Sequence, residues 1–221
     1  MLRVPQILKA LRRIVTTVRP DACAFDVASA AWGARHLENR AYAEGGYRLM
    51  KETSQEYIQR MLSYVGEQDP LDIQARTPKE LDRLIEGASE SRLRQRPARG
   101  KWSIAEILAH LADVEIVISW RIRAILGAPG TPIQVMNQDA WVTAGHYDKR
   151  DPRKSVEVFR VLREMNLALF KTLTPEQWKH QGIHAERGAE TVEHLVRLYA
   201  GHDVNHTRQI ERCVSAFSHL G

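Results

Sequence analysis

The sequence predicts an all-α protein, a four-helix bundle with an additional N-terminal helical extension. Three observations predict it. Apolar residues recur at helical spacing in a series of stretches, most of them opened by a capping signal. No stretch shows a convincing alternating strand pattern. One connection, between the second and third bundle helices, is far longer than the others. The 221 residues suffice for one well-buried core, or a core plus an appendage.

The chain opens with a basic amphipathic segment. Val4, Ile7, Leu8, Leu11, Ile14, Val15 and Val18 recur at helical spacing, as in a membrane-surface element or a transit-like leader. Residues 1–49 are expected to be a weakly ordered extension, and Met50 reads as a natural start. Residues 50–221 form the expected folded domain. Within it, Ser54 to Val65 puts Tyr57, Ile58, Met61, Leu62 and Val65 on one helical face, and Gly66 to Pro70 stops it. Thr77-Pro78-Lys79-Glu80 then reads as a helix start, with Thr77 capping and Pro78 at the first helical position. Ser103-Ile104-Ala105-Glu106 is a capping box preceded by Trp102, a hydrophobic staple, and that helix runs to about Leu126. The long connection spans Gly127 to about Pro152, with a short helical turn expected around Asp139. Asp151-Pro152 opens the next helix. Thr174-Pro175 starts a short one, Gln181 to Ala189 reads as loop, and the last long helix runs from Thr191 to about Phe217. The helices from Thr77, Ser103, Asp151 and Thr191 make the bundle, with the Ser54 helix added to it.

Composition narrows the function classes. No stretch approaches the roughly 18–20 apolar residues of a membrane span. Cys23 and Cys213 make neither a ligand pair nor a disulfide framework, which points to a reducing compartment and a cytoplasmic location. The net charge is +5, but residues 1–49 hold eight basic residues against four acidic ones. The excess sits in the leader and not on the folded domain, which argues against a nucleic-acid binder. Walker-type phosphate loops, dinucleotide fingerprints and nucleophile elbows are absent from the sequence.

Histidines carry the chemistry. His202 and His206 lie one helical turn apart and share a face. His110 lies on another apolar helix. Three imidazoles can hold one divalent ion with coordination positions left open. Asp113, one turn beyond His110, is a candidate oxygen ligand or acceptor behind the ligands. Glu186, in the loop before the last helix, is a candidate general base. Gln209 is placed to line the same pocket. Glu115 is expected to pair with a surface base such as Arg121 or Arg123, and Asp203 is expected to face outward. His36, His146, His180, His194 and His219 are read as structural or exposed.

With these residues in view, the chain resembles the DinB-like superfamily of metalloenzymes from about Glu52 to Ala216. The resemblance rests on Gly100-Lys101-Trp102-Ser103 continuing through His110 to Glu115, on His184-Ala185-Glu186-Arg187-Gly188, and on Ala200-Gly201-His202 continuing through His206 to Ile210. It implies an up-down-down-up bundle with one long crossover. It also implies a metal site of His110, His202 and His206 holding zinc or nickel, with a small-molecule substrate. Members with known activity include thiol-dependent S-transferases and isomerases that use a low-molecular-weight thiol; others are described as metal-dependent hydrolases. The resemblance extends to pairing as a homodimer through an exposed helix face. The alternative reading is a non-catalytic, metal-stabilised stress or binding protein, favoured if Asp113 closes the site as a fourth ligand.

Overall fold

The computed structural model describes residues 52–218, with side chains to residue 216, so the extension expected over 1–49 lies outside the described residues. Helix α1 (Ser54–Val65) starts at a Thr53/Glu56 capping box, and Gly66, at φ 56°, ends it in a conformation that favours glycine. Helix α2 runs Pro70–Ile85 with Asp69 as its cap, followed by the short α3, Glu90–Arg94. Helix α4, Ile104–Gly127, begins at the expected Ser103/Glu106 capping box. The buried Glu106 is also held by Arg96. The long connection contains β1 (Pro132–Ile133), α5 (Gln138–Ala144) and a 3₁₀ turn at Tyr147–Lys149. Then come α6 (Pro152–Phe170), α7 (Pro175–Lys179), β2 (Gln181–His184), β3 (Gly188–Thr191) and α8 (Val192–Ser218).

Helices α2, α6, α4 and α8 pack in a ring, and α1 lies against α8. Side-chain pairs fix the directions. Glu115 meets Arg163 and Ser119 meets Asn166, so α4 and α6 run parallel. Gln74 bonds the Val196 carbonyl, while Leu81 and Ile210 share a core cluster, so α2 and α8 run parallel. His110 faces His202 and Arg121 reaches Tyr199, so α4 and α8 are antiparallel. The path is up-down-down-up, and the crossover between the parallel α4 and α6 is the long connection. One apolar cluster joins Leu81, Ile107, Phe159 and Ile210 at one end of the bundle. A second joins Ile118, Ile122, Phe170 and Leu195 at the other.

Two expectations are corrected. Helix α2 begins seven residues before Thr77, and Pro78 sits inside it. A proline in a helix interior removes the hydrogen bond to the carbonyl four residues back, here Gln74. Arg163 of α6 fills that gap: its Nη1 donates to the Gln74 carbonyl at 3.0 Å. A local start signal was thus overridden by a tertiary donor. The second correction is a three-stranded sheet, order β1-β2-β3, in which β2 and β3 form a hairpin where a loop was expected. Its strands are two to four residues long, too short for a periodic pattern to stand out.

Gly201 has a packing reason for its place inside α8. A Cβ there would collide with the backbone carbonyl of Met61, so α1 lies directly on this helix, one residue from His202.

Candidate metal centre

His110 projects from α4, and His202 and His206 from successive turns of α8. All three are buried, and one nitrogen from each lies within 4.8 Å of the others. The Nε2 of His202 is 3.2 Å from that of His110 and 3.1 Å from that of His206. Trp102, at the entrance of α4, packs its ring 5.0 Å from that of His110. Burial and the neighbouring His206 hold the pKa of His110 well below the usual value; burial, His206 and His110 do the same for His202. His206 is pushed down to about 4, chiefly by burial, against the opposing hydrogen bond to Gln209. The cluster is therefore three neutral imidazoles at pH 7.

Neutral imidazoles cannot satisfy one another in this arrangement. His202 Nε2 has two nitrogen neighbours and at most one proton to share. The Nδ1 atoms of His110 and His202 meet no hydrogen-bond partner among the described residues. His206 Nδ1 is 2.9 Å from Gln209 Oε1. The amide oxygen only accepts, so His206 carries its proton on Nδ1 and turns the Nε2 lone pair toward the cluster. Nitrogens about 2.0–2.1 Å from one tetrahedral ion lie roughly 3.3 Å apart, close to the spacings found. The donor set fits a divalent ion.

The other predicted residues fare differently. Asp113 is buried, but Tyr147 Oη donates to one oxygen at 2.8 Å and Arg150 Nη1 to the other at 2.6 Å. It ties the long crossover to α4 and does not converge with the histidines. The turn that delivers Tyr147 is made by His146, whose φ of 47° is unusual for a residue other than glycine. Glu186 sits exposed on the β2–β3 turn, and its backbone N–H donates to His184 Nδ1 at 3.2 Å. It is not one of the converging groups, so its assignment as general base has no contact behind it.

Glu115 and Asp203 overturn the surface roles expected for them. Both are buried, and both bind Arg163. Its Nε and Nη2 donate to the two Glu115 oxygens at 3.0 and 2.8 Å, and its Nη1 donates to Asp203 at 2.5 Å. Asn166 adds a bond to Glu115 at 2.8 Å. With the Gln74 carbonyl, one guanidinium joins all four bundle helices. Arg163 was missed because nothing local marks it; the nearest signal was an arginine on the inner face of an otherwise apolar helix.

Beyond the histidines, α8 presents Tyr199, whose ring lies 6.1 Å from that of His202. Its hydroxyl accepts from Arg121 Nη1 at 2.7 Å. A groove of about 280 Å³ is lined by Val117, Trp120, Arg121, Ile133, Gln134 and Met136 among others. No histidine of the cluster lines it; Arg121, which does, is hydrogen-bonded to Tyr199, and Tyr199 in turn lies against His202.

An up-down-down-up four-helix bundle with three convergent buried histidines on two facing helices defines a class of helical-bundle protein with a candidate metal centre. Within that class the chain belongs to the DinB superfamily, whose family model matches residues 74–210. YfiT of Bacillus subtilis, to which metal-dependent hydrolysis is attributed, is 24% identical over 173 residues, covering 78% of this chain and 92% of its own. OB0413 of Oceanobacillus iheyensis carries the same attribution and is 23% identical over 136 residues, covering 61% and 78%. The solved structure of B. subtilis YfiT, described as an unusual four-helix bundle topology, matches with a TM-score of 0.63 at 22% identity, covering 80% of this chain and 95% of that one. No helix among the described residues is long and apolar enough to cross a membrane.

Proposed function

We propose that this chain is a divalent-metal-dependent enzyme acting on a small molecule, with His110, His202 and His206 as the metal ligands. The observation that carries the reading is the convergence of three neutral, buried imidazoles whose facing nitrogens cannot all be satisfied by one another. A zinc or nickel ion held there would supply Lewis acidity, which lowers the pKa of a coordinated water or thiol. The protein's own part is to hold three lone pairs on one point, keep the rings unprotonated and shield them under Trp102 and Tyr199. Gln209 fixes the tautomer of His206.

Hydrolysis and thiol transfer share this ligand set. The attribution attached to both relatives supports hydrolysis; the resemblance to thiol-dependent members supports transfer. A closing fourth ligand such as Asp113 would favour the non-catalytic reading, and Asp113 is engaged by Tyr147 and Arg150 instead. Metal analysis of the full-length protein is the deciding measurement. Purified wild type is expected to retain stoichiometric zinc or nickel, and His110→Ala, His202→Ala and His206→Ala to lose it. Metal that survives all three substitutions would sink the assignment. Parallel screens for ester or amide hydrolysis and for thiol consumption with electrophiles then separate the two reactions.

A further inference from the structure

Arg121 stands out among the buried cations. It is 5% exposed, yet among the described residues it makes no ion pair. Arg163, equally buried, has two carboxylates. Arg121 has only neutral partners, the Tyr199 hydroxyl and, at 2.5 Å from Nη2, the Gln134 carbonyl. A guanidinium offers five N–H donors, and these two bonds leave the rest open. Burying a charge without a counter-ion is costly, and such groups are normally paired.

His184 supplies an independent second observation. It is 2% exposed, on the inward face of β2, and its Nε2 meets no partner among the described residues. Because the Glu186 backbone N–H donates to Nδ1, a neutral ring must carry its proton on Nε2. Burial first, then the adjacent Arg187, lower its pKa against the opposing Glu190 carboxylate, and Arg121 acts on it in the lowering sense. Strand geometry agrees with this neighbourhood. At Gly182, two residues earlier on the same face of β2, a Cβ would collide with Ile133 and with Ile125 of α4, one turn beyond Arg121. A buried N–H donor and a buried cation with only neutral hydrogen-bond partners thus share one region, in which Glu190 is already taken by Arg187. Tyr199 links that region to His202, and the apolar groove opens onto Arg121.

We infer that Arg121 and His184 form an oxyanion-binding subsite beside the histidine cluster, which takes a carboxylate or phosphate group of the substrate. Arg187 does not serve this role, because Glu190 engages it through two bonds. The inference deepens the enzymatic reading and rests on it for the word substrate; the binding itself does not depend on a metal. The groove lining of Trp120, Val117 and Met136 gives the anion's apolar body a place.

The test uses full-length protein, both metal-loaded and chelator-treated, titrated with benzoate and separately with inorganic phosphate. Binding is followed by calorimetry and by the His184 imidazole nitrogen resonances. Saturable binding of one or both ions is expected, with the His184 Nε2 resonance shifting in step. Benzoate binding more tightly than phosphate identifies a carboxylate attached to an apolar body, and the reverse order identifies a phosphate. His184→Ala is expected to weaken binding about tenfold or more, and Arg121→Met to abolish it, with metal content unchanged in both. If Arg121→Met fails to fold, Arg121→Lys and His184→Ala decide. Absence of saturable binding by wild type, or binding unaffected by His184→Ala and Arg121→Lys, overturns the subsite. A protein that binds the anion but no metal would instead overturn the metal reading alone.

Discussion

The carboxylates of the Arg163 knot and the three histidines occupy neighbouring turns of α4 and α8, yet the two are opposite kinds of buried polar site. Glu115 follows His110 by little more than a turn on α4, and Asp203 is the residue after His202 on α8. In the knot, protein groups answer protein groups: one guanidinium, two carboxylates, a backbone carbonyl and Asn166. In the cluster, two Nδ1 atoms have no partner and three lone-pair-bearing rings face one another. Burial is the same and satisfaction differs. A closed polar network holds helices in register, whereas an unsatisfied one is shaped for something the chain does not supply.

The sharpest way to break this contrast is to open the knot. Arg163→Met leaves Glu115 and Asp203 buried without a cation, and leaves the Gln74 carbonyl beside Pro78 unbonded. A loss of about 3–5 kcal/mol is expected in urea unfolding. Replacing Arg163, Glu115 and Asp203 together with apolar residues of similar volume should recover most of it. A single variant with a wild-type midpoint would show that the knot is not structural.

Acid separates the two sites next. In metal-free protein His206 has its pKa lowered from 6.5 to about 4, chiefly by burial. Between those values the unfolded chain binds the proton and the folded chain does not. Its contribution is whole above pH 6.5 and is lost as pH falls through 4, about 3 kcal/mol in all. Asp203 runs the other way. Burial raises it from 3.8 to about 6 against the pull of Arg163, so its own contribution grows as pH falls from 6 toward 3.8. Urea midpoints for wild type and His206→Ala across this range should therefore diverge with rising pH. A pH-independent difference would mean His206 is not held neutral.

A finer probe is Gln209→Ala, which frees the Nδ1 of His206 while leaving the knot intact. Metal affinity, measured by chelator competition, is expected to fall roughly 10–100-fold with little change in metal-free stability. Unchanged affinity would remove Gln209 from the site. The smallest effect belongs to Ser103→Ala, which removes the cap of the helix carrying His110. It should cost about 1 kcal/mol in unfolding and leave metal content unaltered. Lost metal there would show that the cluster depends on the end of α4 as well as on its own side chains.

Much of this was legible in the chain. Ser103/Glu106, Asp151-Pro152 and Thr174-Pro175 each mark the start of the helix they were expected to open, because a cap needs only residues within one turn. The three histidines were legible as candidates for the same local reason: a one-turn pair on α8 and a single residue on a capped apolar helix. What misled were residues whose partners lie far away in sequence. Glu115 and Asp203 look like surface acids until Arg163 is placed between them. Thr77-Pro78 looks like a helix start until Arg163 reaches the Gln74 carbonyl. His184 was legible only as part of a sequence block and Arg121 only as a possible surface base, since what marks them is in space: among the described residues, an Nε2 with no acceptor and a guanidinium with no carboxylate.

The sequence by itself therefore determined the helices, their caps, the long crossover and the identity of the three imidazoles, all of them properties of neighbours within one or two turns. The tertiary structure alone decided which polar residues are closed off and which stay open. That distinction depends on donors and acceptors brought together from different helices, and a hydrogen bond is judged by distance in space.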